Sequence, residues 1–220
     1  MIRQLPLFPL GTLLFPGSTL NLHIFEERYR QMIGRCLEQN SPFGVVLIRD
    51  GDEVIEGKTL ARPAEPASIG TIARINANVR LDDGRYLLTA TGERRFRIQY
   101  MLQQAPYLIA SVAELPEEPV PDVTLADELR RVYDRYWQAM ASATGTPVQA
   151  EELPADPAQL SYLLADRLQV KLGRKQQWLE ADSDTRLREI IADLRAELML
   201  LPPAGKRKQG ESWSGLGSLN

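Results

Sequence analysis

Between Thr19 and Ile24 polar and apolar residues alternate, with Leu20, Leu22 and Ile24 on one side, which is the period of a half-buried strand. From Glu26 the period lengthens to that of a helix. Tyr29, Met32, Ile33, Cys36 and Leu37 recur at i, i+3, i+4, i+7 and i+8 as one apolar stripe. A short apolar run at 43–48 predicts a strand, ended by Arg49-Asp50-Gly51-Asp52. Alternation returns at 69–81, Asp82-Asp83-Gly84 has hairpin-turn chemistry, and 86–90 is the return strand. Gly92-Glu93 predicts a second turn. The stretch 95–101 then places Phe96 and Ile98 inward and Arg95 and Arg97 outward, and 107–115 adds another strand. At the start of the chain, 5–10 contains Pro6 and Pro9 and predicts an extended edge strand, because an edge tolerates missing backbone donors. Phe15-Pro16-Gly17-Ser18 follows as a turn.

The second half of the chain changes period. Pro116-Glu117-Glu118-Pro119-Val120-Pro121 reads as a linker. Beyond it Leu125, Leu129, Val132, Tyr133, Tyr136 and Met140 make one helix face, with Thr124 and Asp127 resembling a capping box. Asp156-Pro157-Ala158-Gln159 is a helix start: a cap residue, proline at the first helical position and Gln three after the cap. Leu160, Leu163, Leu164 and Leu168 continue it. Leu187, Ile190, Ile191, Leu194, Leu198 and Leu201 form a last long helix, stopped by Pro202-Pro203. Strands followed by helices predict an α+β fold. The expected organisation is a β-rich module at 1–115, a linker at 116–123, a helical bundle at 124–201 and a disordered tail at 202–220. No helix between 43 and 115 could connect parallel strands, which argues against a doubly wound nucleotide-binding sheet.

Composition narrows the function classes. Lys and Arg number 26 against 29 Asp and Glu, a net charge of −3, so there is no general electrostatic footprint for nucleic acid. A single cysteine, Cys36, excludes an intramolecular disulfide and a cysteine-rich zinc site, and the single histidine, His23, reduces the metal options further. The opening segment imitates an export signal, but Pro6 and Pro9 disfavour the helix such a signal needs, and no Ala-x-Ala follows. A membrane span needs about 20 apolar residues, and the apolar runs here are broken at Gly11-Thr12 and again at 16–19. A reducing, cytoplasmic setting without a membrane anchor is the expectation.

The motifs with chemical promise mostly dissolve. In "GDEVIEGKT", 51–59, five residues separate Gly51 from Gly57 where a phosphate-binding loop has four, and Pro63 and Pro66 oppose the helix that must follow. Cys36 lies on the apolar stripe, so a buried, inert thiol is expected rather than a nucleophile activated by His23. The carboxylates of Asp50, Asp52 and Glu53, and of Asp82 and Asp83, lack the ligand spacing of a calcium loop and fit turns. Arg95 and Arg97 around Phe96 could meet phosphate or could simply be solvated, and Lys206-Arg207-Lys208 is a short basic run in the tail. No catalytic, cofactor or metal residue is predicted.

Several stretches together resemble one family. "LPLFPLGTLLFPGSTLNLHIFEERYRQMI" at 5–33 is similar to the opening of the amino-terminal, substrate-binding domain of ATP-dependent Lon proteases and of stand-alone proteins built from it. "IGTIARI" at 69–75 resembles the family's Gly-Thr strand, and "DDGRYLLTATGERRFRI" at 82–98 its Asp-Gly-Arg hairpin and Gly-x-x-Arg-Phe segment. "DPAQLSYLLADRL" at 156–168 and "KQQWLEADSDTRLREIIADL" at 175–194 resemble its helical part and closing helix pair.

The resemblance implies a PUA-like twisted β-barrel module with one helix, then a compact helical bundle. It also implies recognition of protein substrates or partners for degradation. Neither the ATPase nor the Ser-Lys peptidase motifs of complete Lon proteases occur in the 220 residues, so enzymatic activity is not expected. The zinc-bearing part of cereblon-type receptors, which share the domain, is missing as well.

The expected function is therefore non-catalytic polypeptide binding, as an adaptor or recognition factor in quality control. Expected partners are unfolded or specific proteins, a protease or chaperone among them. Candidate contact residues are Leu7 and Leu10 on the presumed edge and Phe15 and Phe25 beside a groove, with core filling as the competing role of the two phenylalanines. RNA binding through Arg94, Arg95 and Arg97 is the rival reading. A small-molecule pocket at the border between the two modules is the third.

Overall fold

The computed structural model describes residues 2–51, 65–120, 122, 124–145 and 152–201. Its longest strand, β6 (Tyr86–Gln103), runs without a break through Gly92-Glu93, where a turn was expected. Gly92 serves a different purpose there. The N–H of Gly17 donates to Gly92 O at 2.8 Å and the N–H of Gly92 donates to Ser18 O at 2.9 Å. With Gly17 at φ +83°, the two residues Gly17 and Ser18 oppose one, a β-bulge of the glycine type. The packing leaves no room for a side chain: a Cβ on Gly92 would stand 2.4 Å from Phe15 O.

Around β6 the remaining strands are β1 (Ile2–Leu10), β2 (Thr19–Ile24), β3 (Phe43–Asp50), β4 (Glu65–Pro66), β5 (Ile69–Arg80) and β7 (Leu108–Glu114). The sheet order is β1-β7-β6-β5-β3-β4, and an additional parallel β1–β3 pairing closes β1, β7, β6, β5 and β3 into a ring. β2 hangs from the outer half of β6, and helix α1 (Glu27–Glu38) packs on the inner side of that extension.

The ring corrects the edge reading of β1. Residues 2–7 pair with β7 and residues 7–10 pair with β3, so β1 is an interior strand. Its prolines fit because the strand changes partner midway. Pro6 precedes the β3 ladder and Pro9 follows the β7 ladder, so each sits where one flank of the strand is unladdered. Leu7 is consequently fully buried inside the ring with Val46, Ile72 and Phe96, and Leu10 is buried under α1 with Tyr29 and Ile33.

Helices α2 (Thr124–Thr144), α3 (Pro157–Arg167), α4 (Leu172–Glu180) and α5 (Ser183–Leu200) complete the order. Asp156 caps α3 as its spacing predicts, its carboxylate accepting from the N–H of Gln159 at 2.8 Å. The capping box at α2 is not formed as read. Thr124 lies inside the helix, and its N–H and hydroxyl both donate to Asp122 Oδ1, at 3.0 and 2.6 Å. The apolar faces of these helices meet in one core that also takes in Leu13 and Phe15 from the β1–β2 connection and Ile69 from β5. Phe15 is thus wholly buried where strands meet helices.

The glycine-lysine stretch beyond Gly51, Pro63 and the tail at 202–220 lie outside the described residues. Cys36 is buried against α1's neighbours, and burial pushes its thiol up to about 11, so native protein should react with iodoacetamide at neutral pH far more slowly than denatured protein. Gly92→Ala should destabilise the fold by about 1–3 kcal/mol in urea titration, since the blocking atom is backbone. A change within about 0.5 kcal/mol, the range of neutral surface substitutions, would refute that assignment.

Candidate functional site

The arginine row expected on β6 does not exist as a row. Register shifts against β5 fall between Ile72 and Ala73 on that strand, opposite Arg94 and Gly92, so Glu93 is the extra residue. After it Arg95 and Phe96 are both buried although adjacent. Phe96 fills the ring, while Arg95 points to the helical bundle. Arg94 is exposed and ion-paired with Glu114 at 2.8 Å, and Arg97 is exposed. Arg95 is therefore a structural residue rather than an outward cation.

Its guanidinium reaches the end of α4, where Nη1 donates to Leu179 O at 2.9 Å and Ala181 O at 2.6 Å. Arg186 of α5, with no exposure at all, arrives at the same place: Nη1 donates to Ala181 O at 3.0 Å and Nε to Ser161 Oγ at 2.7 Å. These carbonyls are the acceptors that a helix C-terminus leaves over, at the negative end of its dipole.

One carboxylate, Glu117 of the connecting segment, faces both cations. Arg186 Nη2 donates to Glu117 Oε2 at 3.1 Å. Arg95 Nε lies 2.7 Å from Glu117 Oε1, but its N–H is not aligned on that oxygen, so this contact is an ion pair without a hydrogen bond. The Ser183 hydroxyl donates to Glu117 at 2.6 Å, the Tyr162 hydroxyl donates as well, and Arg186 stacks 3.8 Å above the Tyr162 ring. Partial burial opposes ionisation of Glu117, but the two hydroxyls and two guanidiniums outweigh it and hold the carboxyl below its ordinary value. The cluster also gathers two of the sequence candidates, since the Phe15 ring lies 6.1 Å from that of Tyr162 and Arg95 lies 6.0 Å from it.

Above this cluster a cleft of about 980 Å³ opens between strands and helices, walled by Pro16, Pro119, Pro157, Tyr162 and Leu163. Phe25, by contrast, stands apart from the other candidates. It is 41% exposed, and its ring is 5.8 Å from that of His23. In the β2–β6–β5 register His23 lies opposite Leu87, and Leu87 opposite Val79. Leu87 and Val79 are 45% and 60% exposed, so Phe25, His23, Leu87 and Val79 form an exposed, mainly apolar row.

Leu87 and Val79 are not among the residues that the sequence singles out. The signal was present in Leu87-Leu88: on a strand of period two, adjacent leucines cannot both face inward. Leu88 is buried and Leu87 is the one left out. Among the described residues no group of three His, Cys, Asp or Glu is placed to hold a metal, and no helix is long and apolar enough to cross a membrane.

The ring, the extension and the four-helix part can be compared with known proteins. The model of the ATP-dependent protease La (LON) substrate-binding domain matches residues 4–194. The chain belongs to the Lon substrate-binding domain family. The Lon protease of Anaeromyxobacter dehalogenans is 26% identical over 181 residues, 80% of this chain and 21% of the relative. Lon protease 2 of Myxococcus xanthus is 26% identical over 210 residues, 93% of this chain and 25% of the relative. The chain thus spans about a quarter of the length of the Lon proteases it matches.

The crystal structure of a Lon N-terminal domain protein from Xanthomonas campestris aligns with TM-score 0.60 and 26% identity, covering 86% of this chain and 98% of that one. The N-terminal domain of the Mycobacterium avium complex Lon protease shares the fold at TM-score 0.62 and 20% identity, covering 88% and 98%. Only the amino-terminal domain of Lon is matched, and no ATPase or protease module.

Replacing Glu117 with Ala strands two buried guanidiniums and should cost on the order of 3 kcal/mol, whereas Arg97→Ala on the exposed side should be nearly neutral. The depressed carboxyl sets the sign with pH. Its stabilisation is complete above an unfolded value of about 4.3 and is lost as pH falls through the lower folded value. Urea midpoints between pH 6 and about 3 should fall more steeply for wild type than for Glu117→Gln. Parallel curves would remove Glu117 from the account.

Proposed function

We propose that this Lon-family domain is a non-catalytic polypeptide-binding module that recognises exposed apolar segments of unfolded proteins, working as an adaptor or recognition factor in cytoplasmic quality control. A protease or chaperone is the natural recipient of what it holds. The observation that carries the reading is the exposed row of Phe25, Leu87 and Val79 on the outer face of the β2–β6–β5 extension. Leu87 and Val79 are held on paired strands and Phe25 follows directly on β2, so little backbone entropy is lost when a partner covers them. Exposed apolar surface grouped in this way marks interaction sites more often than isolated residues do. The name of the matching family, a substrate-binding domain, supports the same direction.

Of the residues expected to touch a partner, Phe25 keeps that role. Leu7, Leu10 and Phe15 are buried, filling the ring, the space under α1 and the junction with the helices respectively. RNA binding is the less supported reading, because Arg95 is buried against the helical bundle and the exposed Arg94 is ion-paired with Glu114. The border cleft favours a second reading, a small-molecule pocket, since its volume of about 980 Å³ lies within the range of ligand sites.

The test is binding of a reduced, carboxymethylated protein, followed by fluorescence anisotropy at several salt concentrations. Val79→Asp and Leu87→Asp should each weaken it at least about tenfold, or 1.4 kcal/mol, with unchanged circular dichroism. Unaltered affinity in both variants would defeat the proposal.

A further inference from the structure

Strand β2 is laddered on one side only, by β6. The hydrogen bond from Gly92 N–H to Ser18 O fixes which of its backbone groups face that ladder. In an antiparallel pair every second residue exchanges both its bonds with the neighbour. Counting from Ser18, the N–H and C=O groups of Leu20, Leu22 and Ile24 turn toward β6, and those of Thr19, Asn21 and His23 turn away from it. Among the described residues no further strand lies along that side. These outward groups form a row of donors and acceptors with the spacing of a strand edge.

We infer that β2 takes up its polypeptide by strand addition: an extended segment pairs along Thr19, Asn21 and His23 and becomes the next strand of the sheet. This rests on the polypeptide-binding reading above and states its mode and substrate class. Two features of the edge argue for an extended occupant rather than a helix. Its hydrogen-bonding groups are backbone amides, whose complement is another backbone. Its side chains also divide by face. Leu20 and Leu22 are half-buried at the rim of the inner side, while Asn21 and His23 are exposed on the side that carries Phe25 and Leu87. A strand laid alongside meets apolar surface with every second residue. The class of segment is therefore one of five or six residues, on the order of β2 itself, with aliphatic or aromatic residues at alternate positions and little dependence on which ones. Helical amphipathic segments, with their period of 3.6, fit poorly.

The probe is a fluorescein-labelled decapeptide with valine and threonine alternating and lysines at its ends, added to the full chain. N-methylating three alternate residues blocks one edge of the peptide, and a reversed peptide can still use the other edge. Methylating alternate residues of both sets blocks both edges. The expected result is at least a tenfold loss of affinity for the doubly blocked peptide and less than about a threefold loss for either singly blocked one.

On the protein side, Asn21→Pro removes an outward N–H without touching the β6 ladder, and should weaken binding at least tenfold where Asn21→Ala does not. Equal affinity of the doubly blocked and unmodified peptides overturns strand addition while leaving apolar recognition standing. Failure of the unmodified peptide to bind at all overturns both.

Discussion

Two guanidiniums share one carboxylate where the strands of this protein meet its helices, and the remainder of the architecture depends on that contact. Arg95 comes from β6 and Arg186 from α5, and both are taken out of water. Such burial is costly unless the charge is answered. Here the answer has two parts: Glu117, and the carbonyls of Leu179 and Ala181 at the end of α4. The net excess of one positive charge sits against the negative end of a helix dipole, which is where a cation is favoured. The geometry can be satisfied only when the ring, the connecting segment, α4 and α5 are all in place. Apolar contacts around Phe15 and Ile69 supply area, and the ionic cluster supplies the orientation.

That orientation reaches the candidate binding face through β6. One strand runs from Leu87, exposed on the extension, to Arg95, buried at the junction. Eight residues of strand cover roughly 25 Å, and the bulges along β6 bend it without interrupting its pairing with β5. The outer face is thus the far end of an element anchored inside the molecule. α1 closes its inner side with Tyr29, Met32 and Ile33, and the apolar row and the β2 edge have no covering element among the described residues.

Local periodicity made much of this legible. The stripe of α1, the cap at Asp156, the Asp82-Asp83-Gly84 hairpin and the change from strands to helices all follow from nearest-neighbour patterns, and they place the chain in its class. The errors share a cause in long-range pairing. Pro6 and Pro9 suggested an edge because proline is usually found there, whereas β1 changes partner between them and becomes interior. Gly92 suggested a turn because glycine often makes one, whereas the residue is needed where the Phe15 backbone passes at 2.4 Å from a would-be Cβ. Alternation does place Arg95 on the face opposite Phe96, but that face is covered by the helical bundle instead of solvent, which no local pattern announces. Glu117, inside a proline-rich stretch that reads as a linker, carried no local sign of its two buried partners. Of the proposed binding face, Phe25 is legible in the sequence and the Leu87–Val79 pair is not, because cross-strand register decides which apolar residues share an outer surface.

The most direct test of this account is amide hydrogen exchange of the full chain, with and without a saturating unfolded polypeptide. Strand addition at the open β2 edge predicts fast exchange at Thr19, Asn21 and His23 in the free protein and slow exchange at those amides in the complex. The already laddered amides of Leu20 and Leu22 and the helices at the junction should change little. Protection confined to the border cleft or to α2 and α5, with the three outward amides unaffected, would contradict it.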